Sequence, residues 1–311
     1  MPMIGSARLT MVNDTTVAWS ELGSGPPLVL LHGLADSHRT WRMVTPQLAR
    51  RFRVIMLDLP GHGLSARPEA PYTLPWYADT VAHWMDAIGL DRAHVCGHSY
   101  GGGIAQWMLL QHRRRIDRLA LTATGGLGRE VGAVLRLATL PLAGPVLHSP
   151  LFGAVSKLVM QWGFRALVGG DDQEIDRLAR LNEAPNSGLA FHRTVSGCIG
   201  LRGQHVQTWQ HIDKLDSLPP LALFWGAQDT LIPVSHAHEA ARRLGNVTVT
   251  VYPDCGHSPH LEAHERFVGD LLQFLEDEER QPAHVLAPTV GNRVVPAERR
   301  AAKGISSAKA A

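Results

Sequence analysis

The sequence predicts an open, mostly parallel α/β sheet flanked by helices, with a helical insertion in its second half. Two observations carry this. Near-continuous apolar runs alternate with longer stretches of helical period over residues 8–126 and again over 213–280. Between them, over 127–212, helical pieces are broken by Gly and Pro and no strand is evident. Strand–helix alternation of this kind calls for a layered sheet with right-handed crossovers.

Each element has its own signal. Arg8–Val12 and residues 16–22 read as a strand pair with Asn13-Asp14 at the turn. Pro27–Leu31 and residues 52–57, 93–96 and 119–123 are apolar runs of strand length, as expected of strands covered on both faces. From Thr73 to Gly89, one helical stripe holds Tyr77, Val81, Trp84, Met85 and Ile88. Thr73 is its cap, Pro75 lies in the first turn, and Gly89 ends it. A second helix follows Ser99 to about His112. After the insertion come a strand at 221–225, a helix at 235–244, a strand at Val247–Tyr252 and a helix over 259–275. The domain reading is a core of residues 1–126 and 213–280, and a cap of 127–212 over the sheet's carboxyl edge. Residues 281–311, rich in Ala, Pro and Lys/Arg without an apolar period, read as a disordered tail.

Composition excludes several classes. With 311 residues, 45% hydrophobic and 19% charged, the chain can bury a large core. A net charge of +2, from 30 basic and 28 acidic residues, argues against a nucleic-acid surface. Residues 281–311 alone carry five Lys/Arg against one acid, so the remainder is slightly acidic. Cys96, Cys198 and Cys255 are odd in number and lack metal-type spacing, which points to a reducing compartment and no metal. No apolar stretch is long enough to span a bilayer, and the first residues lack a signal-peptide pattern. The expectation is a cytoplasmic enzyme acting on a small molecule, with no cofactor, no nucleic-acid partner and no integral membrane segment. The sequence leaves the oligomeric state open.

The chemistry is concentrated in Gly97-His98-Ser99-Tyr100-Gly101. A buried strand runs into it and a helix runs out, the setting of a strained turn that exposes a nucleophilic serine. The helix N-terminus then offers free N–H groups to developing negative charge. A serine hydroxyl needs a base, and the base needs an orienting carboxylate. Of 17 histidines, His257 lies just past the strand Val247–Tyr252 and is preferred; His260 falls inside the next helix, and His98 is expected to point elsewhere. Asp229, just past the strand at 221–225, is preferred as the carboxylate over Asp58, which organises its own turn, and over Asp254. The oxyanion donors are expected to be the N–H groups of Tyr100 and Leu34, with Gly33 allowing close approach.

These motifs, with Asp58-Leu59-Pro60-Gly61-His62-Gly63 and Gly226-Ala227-Gln228-Asp229, resemble the α/β-hydrolase fold family over residues 8–277. The resemblance implies a serine hydrolase of esterase or lipase kind with a helical cap, cleaving an ester or related carbonyl compound. Serine at position 99 departs from the aspartate of haloalkane dehalogenases and epoxide hydrolases. His98-Ser99-Tyr100 also departs from the Asn-Ser-Met often found in carbon–carbon bond hydrolases, which stay the alternative, ahead of a non-catalytic ligand-binding relative. Residues 131–168 are strongly apolar, which suits a lipophilic pocket, ordinary packing of a cap, or contact of part of the cap with a membrane surface. His192, Arg193 and Arg202 are either carboxylate binders or solvated.

Overall fold

The computed structural model describes residues 6–140, 165, 171–208, 211, 215 and 217–286. Most of the apolar stretch 131–168 and the residues from 287 onward lie outside it.

Among the described residues, twelve strands are numbered in chain order. They are β1 Arg8–Val12, β2 Thr15–Leu22, β3 Pro27–Leu31, β4 Arg53–Leu57, β5 Ala93–His98 and β6 Ile116–Thr122, then β7 Ile199–Gly200, β8 Gly203–Gln204, β9 Leu221–Gly226, β10 Leu244–Gly245, β11 Val247–Tyr252 and β12 His284–Val285. Eight form one sheet in the order β1-β2-β4-β3-β5-β6-β9-β11. The β1–β2 and β2–β4 pairs are antiparallel. Every later pair in this sheet is parallel. At the β1–β2 turn, Asn13 and Asp14 have φ of 43° and 61°, the left-handed pair that matches strand twist in a two-residue hairpin.

The apolar runs follow from this layering. Alternate residues of a strand face opposite sides, and here both sides are covered. Val29, Leu31, Ile55, Leu57 and Val95 join the core under the helices Leu74–Ala87 and Tyr100–Gln111. Leu28, Leu30, Val54, Met56 and Cys96 join a second core with Trp41 and with Phe267, Leu271 and Phe274 of the helix His264–Glu276. The helix Leu74–Ala87 buries the anticipated Tyr77, Val81, Trp84 and Met85, and the Thr73 hydroxyl accepts the Trp76 N–H.

Several boundaries differ from the sequence reading. The helix expected over 259–275 is two, Pro259–Glu262 and His264–Glu276. The first is tied back to its preceding loop by the Glu262 carboxylate, whereas the second follows the apolar stripe that docks on the core. Residues 127–212 contain the helices Ala133–Leu137, Asp172–Leu181 and Ser187–Ser196, and also the hairpin β7–β8. Two-residue strands carry no readable period.

The start of the tail needs correcting. Residues 281–286 are not free: β12 pairs antiparallel with β10, Ala283 is buried in the core, and the Ala283 and Leu286 amides donate to Pro219 and Arg243. The apolar trio Ala283, Val285 and Leu286 is too short to reveal a period, and its partners lie far away in sequence. We expect a chain ending at Glu279 to melt about 3–6 °C below one ending at Leu286, because it loses on the order of 2 kcal/mol of burial and backbone pairing. Thermal unfolding followed by circular dichroism checks this, and equal midpoints would contradict the packing of 281–286.

Candidate active site

The strand order reverses direction beside β3, which lies between β4 and β5. In an open α/β sheet, such a switch point opens a crevice at the carboxyl ends of the strands. The loop after β3 and the turn after β5 meet there.

Ser99 occupies that turn with φ 52° and ψ −114°, a region non-glycine residues seldom enter. Packing enforces it. A Cβ on Gly97 would strike the Gly101 backbone, and one on Gly101 would strike the carbonyls of Leu31 and His32. Only a turn without side chains at both positions brings strand, helix and the β3 loop this close. The Ser99 amide donates to Thr122, and its carbonyl accepts the Gly103 and Gly125 amides at 3.2 Å.

Asp229 and His257 arrive from β9 and β11 at the same edge. The Ser99 hydroxyl lies 2.9 Å from His257 Nε2, and His257 Nδ1 lies 2.8 Å from Asp229 Oδ2. The carboxylate accepts only, so Nδ1 carries the proton and Nε2 is left to receive the serine's. Asp229 Oδ1 accepts the Leu231 and Ile232 amides at 2.9 Å each. Burial pushes the Asp229 carboxyl upward, but His257 and these amides outweigh it and hold it below its ordinary value. All three residues are buried.

Gly33 supplies the close approach anticipated for the β3 loop. A Cβ there would lie 3.3 Å from Ser99 Cβ, so the backbone leading into Leu34 runs beside Ser99. Tyr100 is the first residue of its helix, where amides have no intrahelical acceptor. His32 joins two loops, donating from Nδ1 to the Gly33 carbonyl and accepting the Leu59 amide on Nε2. Asp58 organises its own turn, accepting the His38 and Leu64 amides and the His38 ring. Asp254 is exposed, and His260 bonds Thr40 rather than the serine.

One expectation fails. His98 does not point away from the site: its Nε2–H donates to the His257 carbonyl at 2.9 Å. Contact across 159 residues leaves no local signal. Glu262 was also missed; its two carboxylate oxygens accept the Gly256 and Ser258 amides at 2.8 Å, bracketing His257. The acid four residues after Ser258, at the start of a helix, is the signal that could have found it. Arg193 is committed to the Ala70 carbonyl and Glu69 on the rim of an open groove of about 540 Å³, and Arg202 is exposed. No helix among the described residues is long and apolar enough to cross a membrane.

Around this site His62, His98 and His260 are held below the ordinary histidine range. Burial, with repulsion from His32, pushes His62 down to about 3; burial, with repulsion from His257, pushes His98 down to about 3. Burial likewise lowers His260 well below the ordinary range. An unfolded histidine takes its proton near pH 6.5. Below that pH the unfolded chain gains protons that the folded chain refuses, so stability falls as pH drops from 6.5 toward 3. Each such residue contributes a slope on the order of 1 kcal/mol per pH unit. The lowered carboxyl of Asp229 acts in the same sense but only below about pH 4, where the unfolded carboxylate protonates. Urea unfolding between pH 7 and 4 should therefore show stability declining from near pH 6.5, and His62→Asn should flatten that decline. An unchanged slope in His62→Asn would refute the assignment.

The model of the alpha/beta hydrolase fold family matches residues 26–142. The chain is 32% identical to an uncharacterised protein of Mycobacterium tuberculosis over 264 residues, 83% of this chain and 77% of that one. It is 30% identical to 2-hydroxymuconate semialdehyde hydrolase of Pseudomonas sp. strain CF600, over 80% and 88% of the two chains. Among solved structures it resembles an esterase from Rhodococcus sp. ECU1013, with a TM-score of 0.70, 27% identity and coverage of 88% and 99%. Sheet order, strained serine turn and these similarities agree, and the chain belongs to the α/β-hydrolase fold family.

Proposed function

We propose that this protein is a serine hydrolase that cleaves an ester or related carbonyl group of a fairly apolar small molecule through an acyl-enzyme. Ser99 attacks the carbonyl carbon as His257 takes its proton. Asp229 holds the imidazole in the right tautomer and stabilises its charged form. The Leu34 and Tyr100 amides stabilise the oxyanion. His257 then returns the proton to the leaving alcohol, and water, activated by the same base, releases the acid. The observation that carries this reading is the buried chain Ser99–His257–Asp229 at 2.9 and 2.8 Å, with Ser99 on a strained turn. Residues 127–212 are proposed as a cap over the site, on a core of 1–126 and 213–286. Three free, buried cysteines fit a cytoplasmic setting.

Carbon–carbon bond hydrolysis by the same residues is the second reading, favoured by the similarity to the Pseudomonas semialdehyde hydrolase. The pair of readings separates on a panel of p-nitrophenyl esters run beside vinylogous diketone acids.

Ser99→Ala should fold with an unchanged melting temperature and lose roughly 10³- to 10⁶-fold in kcat on any accepted ester. Near-wild-type turnover would refute the mechanism. Asp229→Asn should lose about 10⁴-fold in kcat, whereas Asp254→Asn should turn over normally. A silent Asp229→Asn beside an impaired Asp254→Asn would move the carboxylate role to another strand end.

A further inference from the structure

The loop following β3 is gripped from two sides. On the core side, Asp58 holds His38 through its amide at 2.6 Å and its ring at 2.7 Å. On the other side lies the helix Asp172–Leu181. Its Arg177 contacts Asp36 Oδ1 at 2.7 Å and donates to the Ser37 hydroxyl at 3.3 Å. Glu174, one turn earlier, binds Arg177 at 2.9 Å and Arg42 at 2.5 Å. Just past the helix, Asn182 donates to the Ala35 carbonyl at 2.7 Å.

Four charges, two of each sign, are thus largely withdrawn from water, and Asp36 and Glu174 are buried. Burial pushes the Asp36 carboxyl up, yet Arg177 overrides it and holds the group below its ordinary value. Buried ion networks add little net stability, because desolvation offsets attraction; what they can specify is an arrangement. The arrangement here is unusual. Ala35 has φ 58°, a left-handed conformation that alanine resists. Asn182 and Arg177 grip the carbonyl of Ala35 and the side chain of the next residue. Leu34, just before, follows the Gly33 backbone that lies against Ser99.

We propose that Arg177 and Asn182 are positioning residues. They hold residues 35–37 so that the Leu34 N–H stays aimed at the oxyanion, and so make the helix Asp172–Leu181 a brace for the transition state. This rests on the serine-hydrolase reading above. Because the oxyanion forms only during reaction, loss of the brace lowers kcat and leaves KM nearly unchanged. Arg177→Lys does not rescue, since a point charge cannot engage Asp36, Ser37 and Glu174 together.

The experiment compares the wild type with Asn182→Ala and with the double variant Asp36→Asn, Arg177→Met, which leaves neither charge of the pair unmatched. Each is assayed on p-nitrophenyl acetate well below its melting temperature, and for inhibition by an alkyl trifluoromethyl ketone, whose adduct with a serine presents an oxyanion. We expect kcat to fall about 10- to 100-fold, with KM changed less than about twofold, and inhibitor affinity to weaken by the same factor. Arg177→Lys should show the same pattern. Unchanged kcat in both folded variants, a loss confined to KM, or undiminished inhibitor affinity would each overturn the proposal. A fluorophosphonate probe separates the two levels. If the wild type is unlabelled and Ser99→Ala keeps its turnover, the serine-hydrolase reading has failed; if Ser99 is labelled and the brace variants behave as wild type, only the brace has failed.

Discussion

The backbone of Ser99, at φ 52° and ψ −114°, carries strain of roughly 1–3 kcal/mol that no local hydrogen bond removes. It persists because β5 and the helix Tyr100–Gln111 are both fixed in the core, leaving the connecting residue one path. The fixing is steric: Gly97 packs on Gly101, and Gly101 packs on the carbonyls closing β3. Relaxing the serine would require separating a helix from two parallel strands whose apolar residues are withdrawn from water on both faces.

Once that turn is set, β9 and β11 decide what else can reach it. Their carboxyl ends lie at the same edge, so beyond them Asp229 comes within hydrogen-bond distance of His257, and His257 within hydrogen-bond distance of Ser99. The His257 backbone is then immobilised from both directions, its flanking amides by Glu262 and its carbonyl by His98. The neighbouring imidazoles of His32, His62, His98 and His260 are held below their ordinary range, so they act as neutral hydrogen-bonding groups and rings in the core.

The described part of the segment between β6 and β9 packs apolar residues such as Ile175, Leu178 and Val195 into the core, and it also meets this edge through polar contacts. The Arg177 guanidinium and Asn182 reach the β3 loop, and the Arg67 side chain donates to Ser187. Directional contacts of this kind restrict how two surfaces can sit, whereas apolar packing tolerates sliding.

The α/β layering and its strand positions were legible in the sequence because strands covered on both faces leave near-continuous apolar runs, as in Pro27–Leu31 and Leu221–Gly226. Ser99, Asp229 and His257 were legible as candidates because each lies within five residues of a strand's carboxyl end, and a strand end is a local feature. Other parts had no local trace. The aim of His98, the grip of Arg177 on Asp36 across 141 residues and the pairing of β12 with β10 all depend on distant segments meeting. The break at Ala263 is of the same kind: helical period continues through it, but the carboxylate of Glu262 is drawn back to the His257 loop. Sequence pattern records what one segment does with water, while the tertiary structure decides which polar groups, once withdrawn from water together, must satisfy one another.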